Sequence, residues 1–201
     1  MKLLLNDNRV DINKANNDGK TPFYSACYDG HIEIVKLLLN DNRVDLNKTD
    51  KYDQTPFYIA CENGHIDIVK LLLNDNKVDI NQANKKGDKR IDINQANKKG
   101  ETPFYVACRG EHIEIVKLLL NGNRVDINKA NHNGETPFNI ACQKGHIDVV
   151  KLLLNDQRVD VNKTSNKGAT PFLIACQKGQ TEVVKYLLES GKEIDINKKD
   201  N

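Results

Sequence analysis

Residues 55–74 read TPFYIACENGHIDIVKLLLN, and the rest of the chain either copies this stretch or connects its copies. Near-copies begin at Thr21, Thr102, Thr136 and Thr170, so successive threonines lie 34, 47, 34 and 34 residues apart, and 47 is 34 plus 13. Self-similarity at a period near 34 marks a stacked array of small units. Each unit reads as two helices. Thr55 suits an N-cap, because its hydroxyl can accept from an unpaired N–H of the first turn. Pro56 then stands at the first helical position, where its missing N–H costs nothing. A short helix runs to about Glu62, and Gly64 closes it, since the corner needs a residue comfortable at positive φ. His65 opens a second helix with Ile66, Ile68, Val69, Leu71, Leu72 and Leu73 apolar. That is too many for one flank, so neighbouring copies must cover it.

The words TPFYSAC, TPFYIAC, TPFYVAC, TPFNIAC and TPFLIAC, each followed by a GH-like turn and a VVKLLL-like helix, resemble the ankyrin repeat and its TPLHxA opening. The resemblance covers nearly the whole chain. It implies an all-α fold, an ankyrin-repeat solenoid of stacked helix–turn–helix units joined by β-hairpin-like fingers. Residues 1–201 then form a single array, with a partial N-terminal unit at 1–20 and helix pairs beginning at 21, 55, 102, 136 and 170. Both ends cut a repeat unit, so the chain is expected to be a fragment of a longer array or to have makeshift ends. Leu3, Leu4 and Leu5 are expected to lean on the first full unit. The first pair, 21–40, should fray or self-associate before the middle does. KYLLESGKE and Gly191 should protect the last pair better.

Bulk composition excludes more than it assigns. Net charge is +2, with both signs interspersed, which gives no reason to expect nucleic acid or a membrane as partner. No apolar run reaches the length of a membrane span, and no signal peptide opens the chain. Cys27, Cys61, Cys108, Cys142 and Cys176 hold the same place in each first helix. In an ankyrin-like stack, equivalent atoms of neighbouring helices lie roughly 10 Å apart, beyond the ~7 Å Cα limit for a disulfide. All five are therefore expected to be buried thiols in a reducing, cytoplasmic setting.

The connectors share VDIN-x-x-N-x-x-G-x-T, an extended arm followed by a tight turn. Asp53 replaces the turn glycine of the other copies, and CRGEH in the third copy leaves Glu111 in the tight corner. A Cβ there costs on the order of 1 kcal/mol. The histidine of the family's TPLH is Tyr24, Tyr58, Tyr105, Asn139 and Leu173 here, so its bond to the threonine does not carry over by identity. The largest departure is a 13-residue finger duplication at 79–91: DINQANKKG at 79–87 recurs at 92–100. It reads either as a tolerated surface insertion, since longer loops cost little entropy, or as a basic finger reaching a partner. The second copy should take the ordinary finger position, because it alone keeps G-x-T-P intact, and the first should bulge out.

Cys-x3-His recurs at 27/31, 61/65, 108/112 and 142/146, but each pair straddles a corner and stacking keeps equivalents parallel. No metal, cofactor or catalytic residue is expected, and one active site would not be copied at four equivalent positions. What remains is surface. In ankyrin-like proteins partners dock on a concave side made of finger tips and first-helix ends. The matching positions are Asp18, Lys20, Tyr28, Asp29, Lys51, Tyr52, Gln54, Lys98, Lys99, Arg109, His132, Glu135, Lys144, Lys167 and Lys178. Tyr28, Tyr52 and Arg109 are of the types that carry interface energy. The resemblance thus implies a non-catalytic module that binds an unidentified protein, with room for self-association through uncapped terminal repeats. A structural spacer of a longer array, with no partner of its own, is the alternative.

Overall fold

The computed structural model describes residues 11–74, 91–122 and 124–196, which hold ten helices and no strand. They belong to two compact units, one ending at Lys98 and one beginning at Lys99. In the first, α1 (Pro22–Tyr28) and α2 (Ile32–Leu39) form one pair, and α3 (Pro56–Glu62) and α4 (Ile66–Asn74) the next. In the second, the pairs are α5 (Pro103–Arg109) with α6 (Ile113–Leu120), α7 (Pro137–Lys144) with α8 (Ile147–Asn155), and α9 (Pro171–Gln177) with α10 (Thr181–Glu189). First helices stack on first helices and second on second: α1 on α3 and α2 on α4 in one unit, α5–α7–α9 and α6–α8–α10 in the other.

Every first helix starts in the same way. The hydroxyls of Thr21, Thr55, Thr102, Thr136 and Thr170 accept the backbone N–H three residues on at 3.0–3.1 Å, with proline next to the cap. Every corner closes in the same way too. The backbone N–H of His31, His65, His112, His146 and Gln180 returns to the alanine carbonyl of its own first helix, across a residue in the left-handed region. That residue is glycine in four corners and Glu111 (φ 58°) in the third; Asp53 (φ 61°) is the other non-glycine there among the described residues.

Stacking buries what a single pair cannot. Phe23, Phe57, Phe104 and Phe138 are at most 1% exposed, and Val35, Val69, Val116 and Val150 have no exposed surface. Each such phenylalanine contributes on the order of 2–3 kcal/mol. Cys27, Cys61, Cys108 and Cys142 lie in this core, where burial pushes their thiols well above the usual range. Cys176 does not: it is exposed. Leu188 and Ile196 are 58% and 52% exposed, so the last pair is not the better-protected one. These side chains lie on the face that a following pair covers in other copies, where Leu154 is 2% and Ile127 5% exposed. The Gly191 stop (φ 66°) ends α10 without shielding that face.

The second copy of the duplicated segment sits in the ordinary finger position. Asp92 N–H donates to Asn47 Oδ1 at 3.0 Å, as Asp45 does to Asn13, Asp160 to Asn128 and Asp195 to Asn162. The first copy with Lys85, Lys86, Lys89 and Arg90 lies outside the described residues, as do Leu3–Leu5.

Two predictions follow from this packing. A thiol reagent added to the folded protein should modify Cys176 quickly and the other four only in denaturant; fast reaction of two or more thiols in the folded state contradicts the burial. Deleting residues 79–91 puts Val78 in the place of Ile91 and should leave the melting temperature within about 2 °C or raise it slightly. A fall of several degrees means that the deleted segment packs on the stack.

Candidate interaction surface

Three of the fingers are each built around one side chain. Asn16 Oδ1 accepts the N–H groups of Asp18 and Lys20, both at 3.0 Å. Asp50 does the same for Tyr52 and Gln54, and Asn131 for Asn133 and Glu135, at 2.9–3.0 Å. An Asn or Asp at the turn's first position thereby replaces missing backbone partners. Successive tips are then joined by one backbone bond: Lys51 N to Asp18 O and Lys98 N to Tyr52 O in the first unit. In the second, His132 N bonds Lys99 O and Asn166 N bonds Asn133 O.

The tyrosines that replace the family's histidine clasp these fingers. Tyr24 Oη donates to Asp50 Oδ2 at 3.2 Å; Tyr58 Oη accepts from Asn97 Nδ2 at 2.8 Å; Tyr105 Oη accepts from Asn131 Nδ2 at 3.2 Å. Burial first, and then the neighbouring carboxylates, push the Tyr24 and Tyr105 hydroxyls well above the tyrosine range, so both keep their protons. In the fourth copy Asn139 instead caps Thr136 N–H at 2.8 Å and donates to Lys163 O at 3.2 Å. The corner histidines bind backward. His65 Nε2 meets Tyr28 O, and His146 Nε2 meets Arg109 O, both at 2.9 Å; since a carbonyl only accepts, Nε2 carries the proton. Gln180 Nε2 reproduces the bond to Gln143 O at 3.0 Å. Glu111 Oε2 lies 3.3 Å from His146 Nδ1, an ion pair only when the imidazole carries a proton on both nitrogens. Among the described residues no group of three or more His, Cys, Asp or Glu is placed to hold a metal.

With the frame so occupied, the tips are what solvent meets. In the first unit Asp18 and Lys51 pair at 2.8 Å, and the hydrogen bond from Lys51 holds the Asp18 carboxyl below its usual range. Lys20 lies over the Tyr28 ring at 4.3 Å, and Lys51 over Tyr52 at 5.2 Å. Gln54 reaches Glu62 at 3.3 Å, Lys98 reaches Lys51 O at 2.6 Å, and Asp29 is exposed. In the second unit Arg109 is bound to the buried Glu101 at 2.7 Å, which makes it more a strut than a free anchor. Glu135 accepts from Asn131 at 2.9 Å. Lys99, His132, Lys144, Lys167 and Lys178 are exposed. A family model described as ankyrin repeats (3 copies) matches residues 1–84, 86–165 and 123–200.

The chain belongs to the ankyrin repeat family. A search of curated protein sequences finds no match. Sequence reading placed the ankyrin tips but missed the clasp, because Tyr58 and Asn97 are 39 residues apart and meet only once the finger folds over. A usable signal was present: Tyr24, Tyr58 and Tyr105 are followed by Asp50, Asn97 and Asn131, whereas Asn139 is followed by Ser165.

Removing the clasp should register in stability. Tyr58→Phe removes one hydrogen-bond partner of the buried Asn97 and should cost about 1 kcal/mol in a denaturant titration, and Tyr105→Phe about the same. No change in either midpoint would show that the hydroxyls are not structural.

Proposed function

We propose that this chain is a non-catalytic protein-interaction module whose finger tips and first-helix ends dock an unidentified protein. One observation carries the reading. The recurring residues (threonine caps, alanine corners, Asn ladders) are all engaged in the frame, while the exposed tip positions differ from copy to copy. Tyr28 and Tyr52 are 41% and 54% exposed on that face, each with a lysine ammonium against its ring. Exposed tyrosines that a cation already holds in place lose little entropy on docking, which suits interface anchors. No helix among the described residues is long and apolar enough to cross a membrane. Five unpaired cysteines favour a reducing intracellular compartment. The exposed Leu188, Ile196 and Cys176 support a secondary contact with another copy of the chain.

The test is affinity capture with the intact chain beside a Tyr28→Ala/Tyr52→Ala variant of equal melting temperature. A protein retained by the first and reduced at least about tenfold by the second supports the reading. Retention indifferent to the substitutions, and to alanine at Lys144, Lys167 and Lys178, overturns it.

A further inference from the structure

One stretch of the ankyrin face is built unlike the rest. Between the finger tips at 131–135 and 165–169 of the second unit lies a groove of about 340 Å³, lined by Glu135, Gln143, Ser165, Lys167, Ala169, Ile174 and Lys178 among others. Elsewhere this space holds a polar network of three side chains: a tyrosine, a finger Asn or Asp, and a long side chain just before the next threonine. Tyr24–Asp50–Gln54 and Tyr105–Asn131–Glu135 are two examples. Here all three are shortened at once, to Asn139, Ser165 and Ala169. Asn139 turns back to Thr136 and Lys163, so its amide does not fill the gap.

The groove's charge is equally distinct. Lys51 is neutralised by Asp18, and Arg109 by Glu101. Lys167 and Lys178 have no side-chain partner among the described residues. Glu135 also lines the groove; Asn131 and Tyr105 are neutral donors to its carboxylate and leave its charge in place, so the two lysines give the groove a net charge of plus one. Ala169 and Ile174, 7% and 6% exposed, give the same groove an apolar floor. A low-dielectric floor strengthens the attraction of those cations for an anion seated over it.

We infer that this groove is a docking cleft for an acidic segment of a partner protein, with an Asp or Glu side chain entering between Lys167 and Lys178. The inference rests on the reading of this face as a protein-docking surface and names the partner's chemistry. Gln143 also lines the groove and offers a neutral amide to the segment's backbone. A carboxylate fits better than a polyanionic backbone, because two lysines at one groove offer no extended basic track.

The experiment is fluorescence anisotropy of the whole chain with a labelled peptide of Asp, Glu and Leu. The same peptide with Lys for each acid, a phosphoserine version and a single-stranded RNA serve as competitors. The acidic peptide should bind, and more weakly as salt rises. Ala169→Glu, which installs the residue that Glu101 and Glu135 supply elsewhere, should weaken binding about tenfold or more, and Lys167→Glu/Lys178→Glu likewise. Lys70→Ala, at an exposed position of α4 away from the tips, should leave it unchanged, and melting curves establish that each variant is folded. Absence of acidic-peptide binding, indifference to both groove variants, or preference for the phosphopeptide or RNA overturns the cleft. If the cleft fails while a captured protein is still lost with Tyr28 and Tyr52, the docking-face reading stands. If capture is indifferent to both sets of variants, both readings fall.

Discussion

Each helix pair carries more apolar surface than it can bury alone, and everything else in the molecule is arranged around that constraint. A short first helix cannot hold a corner by itself, so the corner is fixed from the next copy. His65 on Tyr28 O and His146 on Arg109 O each couple the turn of one pair to the end of the pair before it. The ring also explains a glycine. A Cβ on Gly30 would stand 2.7 Å from the His65 ring, so the left-handed corner and the close approach of the neighbour demand the same residue. Gln180 retains the amide donor and the bond where histidine is lost.

The fingers answer to the same logic at the other end of each first helix. A buried tyrosine hydroxyl needs a partner, and a finger turn needs an acceptor for its N–H groups. Asp50 and Asn131 supply both at once: one side-chain atom serves the turn and the other the tyrosine. Where Asn139 replaces tyrosine that demand disappears, and the finger carries Ser165 in place of Asp or Asn. The tips are joined by single backbone bonds, to which Lys51–Asp18, Lys98–Lys51 O and Asn166–His132 O add side-chain bonds.

Fold and frame were legible in the sequence because they repeat: caps, corners and the positive-φ sites at Asp53 and Glu111 follow from the repeated words, while the tip positions came from the ankyrin resemblance. What was not legible depends on contacts between copies. The clasp joins residues of neighbouring repeats, and identical local words do not reveal that Cys176 is exposed while the other four thiols are buried. Arg109 looked like an anchor by type, yet Glu101, eight residues earlier, ties it down. The groove beside Lys167 and Lys178 is a consequence of three shortened side chains and could be seen only once they were placed around one space.

The central claim is that frame and surface are separable: stacking and clasps set stability, and tip side chains do not. The most direct measurement is the melting temperature of a variant with alanine at Tyr28, Tyr52, Lys144, Lys167 and Lys178 together. Exposed positions outside the frame should shift stability little, so the account predicts a melting temperature within about 2 °C of the parent. A fall of more than about 5 °C would contradict it, because the tips would then be part of what holds the fold together.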